Sequence, residues 1–255
     1  MKKEEPILEL KHLSLFLAEA AKADQCLLRD VTMAVPRGKI TCLVGESGSG
    51  KSMTIASILG LTPRAAYFGE NSSILFRGEA IFSIFQDPMN AFNPSQRVAS
   101  QLYAMARGYR DIKKEAFEVE FCEILSALSF ENPGRVLRQY PFELSGGMLQ
   151  RLMIGCGILI KPALMIADEP TTALDVTVQK DILKTLVRIN KTQGTTILLV
   201  THDFGVVAEI ADEVAVMQRG RIVECGDVFT IFDHPREDYT RQLIQATFKG
   251  GDVQC

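Results

Sequence analysis

Apolar residues in this chain fall into two alternating patterns: short unbroken runs and runs spaced at helical intervals. Lys39–Val44 (KITCLV) predicts a buried strand, followed by a glycine-rich turn and a helix from about Lys51 to Leu59. Ala163–Ala167 predicts a second strand, which ends at the acidic pair Asp168-Glu169. Thr195–Val200 predicts a third, ending at Thr201-His202-Asp203, and Glu213–Met217 a fourth. Between the second and third, Val178, Ile182, Leu183, Leu186 and Ile189 have helical spacing, and the pattern of Thr177–Lys191 stops before Gly194. Strands alternating with helices make an α/β fold with a mostly parallel sheet covered on both faces. In such sheets functional groups gather at the carboxyl ends of the strands, where the three polar clusters here fall. The stretch from Asp87 to Ile160 differs, being helix-rich (as in Ile112–Ser129) and poor in strand signals. It reads as a helical subdomain inserted into the core. No internal repeat, low-complexity tract or heptad run interrupts this plan.

Bulk properties narrow the setting. The 255 residues, 47% hydrophobic and 23% charged, have the balance of an ordinary globular protein. A net charge of −3 provides no broad basic surface, so nucleic acid is not an expected partner. The longest apolar run, Met153–Ile160, ends at Lys161 and is too short for a bilayer, which needs about 20 residues. Glu4 and Glu5 stand where a signal peptide would be basic and then apolar, so the chain is expected to stay in the cytoplasm. The six cysteines (Cys26, Cys42, Cys122, Cys156, Cys225 and Cys255) form no CxxC pair and read as reduced, mostly buried thiols.

The segment Gly45-Glu46-Ser47-Gly48-Ser49-Gly50-Lys51-Ser52 fits GxxxxGK[ST]. Its glycines let the backbone wrap round an anion, so that successive N–H groups and the following helix N-terminus face phosphate oxygens. Lys51 can reach the β- and γ-phosphates of ATP, and the Ser52 hydroxyl can ligate Mg²⁺. Asp168, after four apolar residues, is placed as a Mg²⁺-binding acid at a strand end. Glu169 beside it is the natural base to polarise a water, and His202 can contact the γ-phosphate and that water. These features alone leave kinases, GTPases, helicases and AAA machines open.

The choice comes from Leu144-Ser145-Gly146-Gly147-Met148-Leu149-Gln150-Arg151, which resembles the ABC ATPase signature LSGGQxQR with methionine in place of the first glutamine. Ser145, Gly146 and Gly147 open a helix and make a second anion-binding N-terminus. One domain has no use for two such sites on one ATP, so this one is expected to cap an ATP held by the opposite subunit. The resemblance covers nearly the whole chain. It implies a P-loop NTPase core with an N-terminal antiparallel β subdomain and an inserted helical subdomain. The corresponding division is 1–86 with 162–226 as core, 87–161 as signature subdomain and 227–255 as tail. It further implies that Gln86 joins Ser52 and Asp168 at Mg²⁺ and senses the membrane partner, and that Asp175, in Ala173-Leu174-Asp175, forms the D-loop. Family members stack an aromatic ring on adenine near the N-terminus. Aligning Leu10–Ser14 with the family's first strand puts Leu17 at that point with Phe16 beside it, which predicts modest base selectivity.

Phe85-Gln86-Asp87-Pro88-Met89-Asn90-Ala91-Phe92-Asn93-Pro94 and Ala167–Gln179 (ADEPTTALDVTVQ) resemble the peptide/nickel importer group of ABC transporters. Tyr140–Arg151 is especially similar to nickel-import ATP-binding subunits. The chain stops at Cys255, and Arg236-Glu237-Asp238-Tyr239-Thr240 only partly matches the HPYT element of peptide-type members. Both departures favour nickel or a metal chelate over peptides as cargo. The implied partners are a second ATPase subunit (a paralogue ahead of a second copy), two membrane permeases and an extracytoplasmic solute-binding protein. The implied location is the cytoplasmic face of the membrane. Rival readings are an ABC ATPase acting on DNA or ribosomes and a regulatory module that binds nucleotide without hydrolysing it. The short spacing from Lys51 to Ser145 opposes the first, and the presence of Glu169 and His202 opposes the second.

Overall fold

The computed structural model describes residues 5–18, 24–171 and 176–249. Its elements begin with β1 (Leu8–Leu17), β2 (Gln25–Val35), β3 (Ile40–Val44), α1 (Lys51–Leu59), β4 (Ala66–Phe68) and β5 (Ser73–Phe76). There follow β6 (Ile81–Ile84), α2 (Pro88–Ala91), α3 (Val98–Tyr109), α4 (Lys114–Ala127), α5 (Pro133–Arg138) and α6 (Gly146–Ile160). Next come β7 (Leu164–Asp168), α7 (Val176–Gln193), β8 (Thr196–Thr201) and α8 (Phe204–Ile210). The chain closes with β9 (Glu213–Gln218), β10 (Arg221–Asp227), α9 (Val228–Asp233) and α10 (Asp238–Lys249). Contacts divide it into two units, Met1–Gly78 with Thr196–Cys255, and Glu79–Thr195.

In the first unit β3 lies between β8 and β9 as a parallel neighbour of both, and β10 pairs antiparallel with β9. Every residue of β3 is buried, the mark of a strand covered on both faces, and β8 is buried along its length too. A separate antiparallel sheet has β1 at its centre, paired with β2 on one side and with β4 and β5 on the other. The expected α/β architecture with an N-terminal antiparallel sheet is therefore present. The β9–β10 hairpin turns on Arg219 (φ 49°) and Gly220 (φ 78°), a pair of left-handed residues suited to a two-residue hairpin. Gly220 is hemmed in by backbone: a Cβ there would lie 2.6 Å from the Leu27 carbonyl oxygen. Its carbonyl accepts the Arg29 N–H and its own N–H donates to Ser49 O, each at 2.7 Å.

In the second unit β6 and β7 pair in parallel. Helix α6 is apolar on nearly all sides because it is buried on nearly all sides. On one flank Gly155 lets it approach α4, where an added Cβ would sit 3.3 Å from Phe121 and Leu128. On another, Gly157 meets Phe82 of β6 and Met165 of β7. Phe117 and Phe121 are fully buried and stack with centroids 5.2 Å apart, giving the helical subdomain its own aromatic centre. Among the described residues no helix is long and apolar enough to cross a membrane. The five described cysteines are free thiols, but only Cys42 and Cys156 are buried; Cys26 and Cys122 are half-buried and Cys225 exposed. Burial pushes the Cys156 thiol up to about 12, which keeps it protonated and unreactive.

Gly38 offers a control for the Gly220 turn, since it is also left-handed (φ 66°) but has open space where a Cβ would go. Gly38→Ala is expected to lose only the left-handed penalty, about 1–2 kcal/mol. Gly220→Ala should lose more, because the Leu27 backbone must also give way. Urea unfolding of both variants checks this; a Gly220→Ala loss no larger than that of Gly38→Ala would contradict the packing described.

Candidate functional site

The phosphate loop leaves the carboxyl end of β3 and runs into α1. Its first residue, Gly45, is buried, and a Cβ there would lie 2.2 Å from the Met217 carbonyl oxygen, a distance no side chain tolerates. Gly48 (φ 77°) and Gly50 (φ 112°) adopt left-handed conformations open mainly to glycine. Gly50 is also pressed between Met217, Leu28 and Gly220. The loop therefore has its back against β9, β2 and the β9–β10 turn. No side chain caps the N-terminus of α1, which leaves its first amides for an outside anion. The Ser49 hydroxyl is buried with no hydrogen-bond partner of its own. Lys51, 5% exposed, donates to the carbonyls of Gly45 (2.7 Å) and Glu46 (2.9 Å). Glu46, Ser47 and Ser52 are exposed. Such a cradle of amides with one ammonium inside it suits a phosphate chain.

Strand register places His202. Val44 pairs with Thr201 across β3 and β8, so His202 leaves its strand beside the point where the phosphate loop leaves its own. Asp203 fixes the turn: its carboxylate caps α8 by accepting from Gly205 N (2.7 Å) and Val206 N (3.4 Å), and its own N–H donates to the Thr201 hydroxyl.

The same logic recurs in the second unit. Ile84 pairs with Ala167 across β6 and β7, which brings Gln86 level with Asp168 and Glu169. Four fully buried residues, Leu164–Ala167, lead to a half-buried Asp168. Glu169 then turns sharply, with φ 44°, a strained conformation for a non-glycine residue. The Gln86 Nε2 donates to Glu169 Oε2 at 3.0 Å, which leaves the Gln86 amide oxygen as an acceptor. Asp87 steadies this turn by capping α2 through Met89 N–H at 2.9 Å. Ser145 caps α6, its hydroxyl accepting from Met148 N–H at 3.3 Å, and a Cβ on Gly146 would meet open space. Arg151 is taken up inside the subdomain, donating to Gly147 and Leu128 carbonyls and lying over the Phe130 ring at 4.7 Å. Thus Gly45–Ser52 and His202 belong to the first unit, and Gln86, Asp168, Glu169 and Ser145–Gly147 to the second. Asp175, with Ala173 and Leu174, lies outside the described residues.

Phe16, beside the position that the resemblance assigns to the base, already has an aromatic partner. It pairs with Tyr67 across β1 and β4, and the two rings stack at 5.4 Å and 21°. Neighbouring strand residues point to opposite faces, so Leu17 shares the face of the fully buried Leu13 and Leu15. The phosphate loop is supported by Met217, Gly220 and, on α10, Tyr239; the sequence named Met217 only as a strand end and Tyr239 only in the Arg236–Thr240 stretch, and gave neither this role. Arg219-Gly220 alone carried a signal, as a glycine in a turn between two strands.

A sequence profile described as "ABC transporter" matches residues 28–172. The chain is 38% identical over 257 residues to the "Oligopeptide transport ATP-binding protein OppD" of Lactococcus lactis subsp. cremoris (strain SK11), spanning 95% of this chain and 76% of that protein. It is 36% identical over 263 residues to the "Probable D,D-dipeptide transport ATP-binding protein DdpD" of Escherichia coli (strain K12), spanning 97% and 80%. Among solved structures, one titled "Structure of ATP binding subunit of ABC transporter" superposes with a TM-score of 0.75 at 26% identity, covering 95% of this chain and 99% of that one. With the profile matching more than half of it and these relatives nearly all of it, the chain belongs to the ABC transporter family, among the ATP-binding subunits of the peptide/nickel importer group.

Proposed function

We propose that this chain binds and hydrolyses ATP as one of two ATPase subunits of an importer whose cargo is a peptide. The observation that carries the catalytic part is the seated loop Gly45–Ser52, with the uncapped start of α1 and Lys51 folded into it. In this reading the loop amides and Lys51 hold the phosphates, and His202 contacts the γ-phosphate. Glu169, oriented by Gln86, takes the proton from the attacking water. Ser52 in the first unit, and Asp168 and the Gln86 amide oxygen in the second, are hard oxygen donors of the kind Mg²⁺ takes, and that ion would neutralise charge on the phosphates.

Ser145, Gly146 and Gly147 are assigned to an ATP on the partner ATPase, with Asp175 at the same interface. For the cargo, the two relatives described above are named for oligopeptide and D,D-dipeptide transport. They support a peptide over the nickel or metal chelate expected from the sequence. Phe85 and Met89, 42% and 45% exposed beside Gln86, support a docking surface for the membrane permeases. Docked there at the cytoplasmic face, the pair of ATPases would close around two ATPs. Closure would then drive alternating access to cargo delivered by an extracytoplasmic binding protein.

Two outcomes follow. Glu169→Gln is expected to retain MgATP binding while steady-state turnover of the reconstituted transporter falls about 10²–10⁴-fold, the worth of a positioned base. Turnover within threefold of wild type would remove Glu169 from that role. Ser145→Arg should leave ATP bound to this subunit but silence the site on its partner, read by single-turnover hydrolysis with one subunit's own site disabled. Loss of nucleotide from this subunit with the partner site still active would overturn the trans assignment.

A further inference from the structure

The carboxyl-terminal helix reaches the phosphate loop. Glu224 of β10 is 8% exposed, and its carboxylate accepts the N–H groups of Arg236 (2.7 Å) and Glu237 (3.2 Å), just ahead of α10. Burial works to raise its pKa, but the Arg236 amide, the Thr240 side chain and the Glu237 amide together outweigh it and hold the group below the usual carboxylate range. An anion held there anchors the start of a twelve-residue helix. Tyr239 stands in the first turn of that helix, and its phenol oxygen accepts the N–H of Glu46 at 3.2 Å.

That N–H belongs to the peptide unit joining Gly45 to Glu46. The other polar atom of the unit is the Gly45 carbonyl oxygen, which accepts from the Lys51 ammonium at 2.7 Å. A peptide unit is planar, so fixing the direction of its N–H fixes the direction of its C=O. The next carbonyl, that of Glu46, holds the same ammonium at 2.9 Å and the Ser49 N–H at 3.2 Å. Gly45 itself cannot shift toward β9, because the Met217 carbonyl blocks that side. We infer that Tyr239 is a positioning residue for Lys51: its hydroxyl sets the plane of the Gly45–Glu46 peptide, and that plane sets where the ammonium rests. Burial pushes the Tyr239 pKa up and keeps the group a neutral phenol, whose oxygen accepts the Glu46 N–H. The role rests on the reading of Gly45–Ser52 as the nucleotide site and extends it to a segment 193 residues away in sequence.

Tyr239→Phe keeps the ring and removes only the acceptor. Glu46 is exposed, so water can take up the released N–H and the loss should be that of one net hydrogen bond. The dissociation constant for MgATP, measured by calorimetry on the full chain, is expected to rise roughly 2- to 10-fold, with the melting temperature lowered by only about 2–4 °C. A double-mutant cycle with Lys51→Arg, which keeps the charge but not the shape of the ammonium, separates positioning from general packing. The Tyr239→Phe effect is expected to shrink toward none in that background. Glu224→Gln, which loosens the start of α10 without touching the loop, should weaken MgATP binding in the same direction. If wild type binds MgATP and neither Tyr239→Phe nor Glu224→Gln changes its affinity, the inference falls while the nucleotide-site reading stands. A Tyr239→Phe loss carried undiminished into the Lys51→Arg chain would also overturn it. Failure of wild type to bind MgATP at all would bring down both.

Discussion

The backbone of Gly45 lies so close to the Met217 carbonyl that even a methyl group could not fit between them, and much of the first unit follows from that contact. It ties the start of the phosphate loop to the end of β9, the strand that pairs in parallel with β3. Once the loop starts there, Gly50 must pass between Met217, Leu28 and Gly220, and Gly220 must in turn fit against the Leu27 carbonyl. The hydrogen bond from Gly220 N–H to Ser49 O closes this stack. An anion cradle works only if its amides are already aimed before the anion arrives, and a loop packed against backbone on its far side is aimed by construction.

Parallel register does the remaining placement. In the first unit Val44 opposite Thr201 brings the loop and His202 out at one level; in the second, Ile84 opposite Ala167 does the same for Gln86 and the acidic pair. In both cases buried strands set the level, and polar residues one or two positions later inherit it. Glu169 departs from this regularity with its left-handed backbone. Local strain of that kind costs of order 1–3 kcal/mol and persists where surrounding structure dictates the conformation. Here the surroundings are the buried Pro170 behind it and the Gln86 amide in front.

Much of this was readable in the chain. The strands expected over Lys39–Val44 and Ala163–Ala167 form as Ile40–Val44 and Leu164–Asp168, apolar runs whose length suits a strand covered on both faces. Ser145 was readable as a helix cap because its chemistry is local, acting three residues ahead. What escaped was whatever depends on register or on distant partners. β4 and β5 are only three and four residues long and largely exposed, so only their pairing with β1 reveals them. The stack of Phe16 on Tyr67 depends on the β1–β4 register, which no local pattern in β1 announces. The helix expected over Ile112–Ser129 begins at Lys114, since Ile112 buries its side chain from the loop before it. Tyr239 acts on a loop far away in sequence, and no local pattern could have announced that. Cargo is more distant still, because nothing in the phosphate chemistry of this chain has to touch it.

The central claim is that the loop from Gly45 to Ser52 is where nucleotide binds. Amide hydrogen exchange on the wild-type chain, with and without saturating MgATP, tests it without any substitution. The account predicts strong slowing at the amides of Gly48–Ser52 and the first turn of α1, since those N–H groups would be engaged by phosphate. Unchanged exchange across that loop, with protection appearing in some other segment, would contradict it.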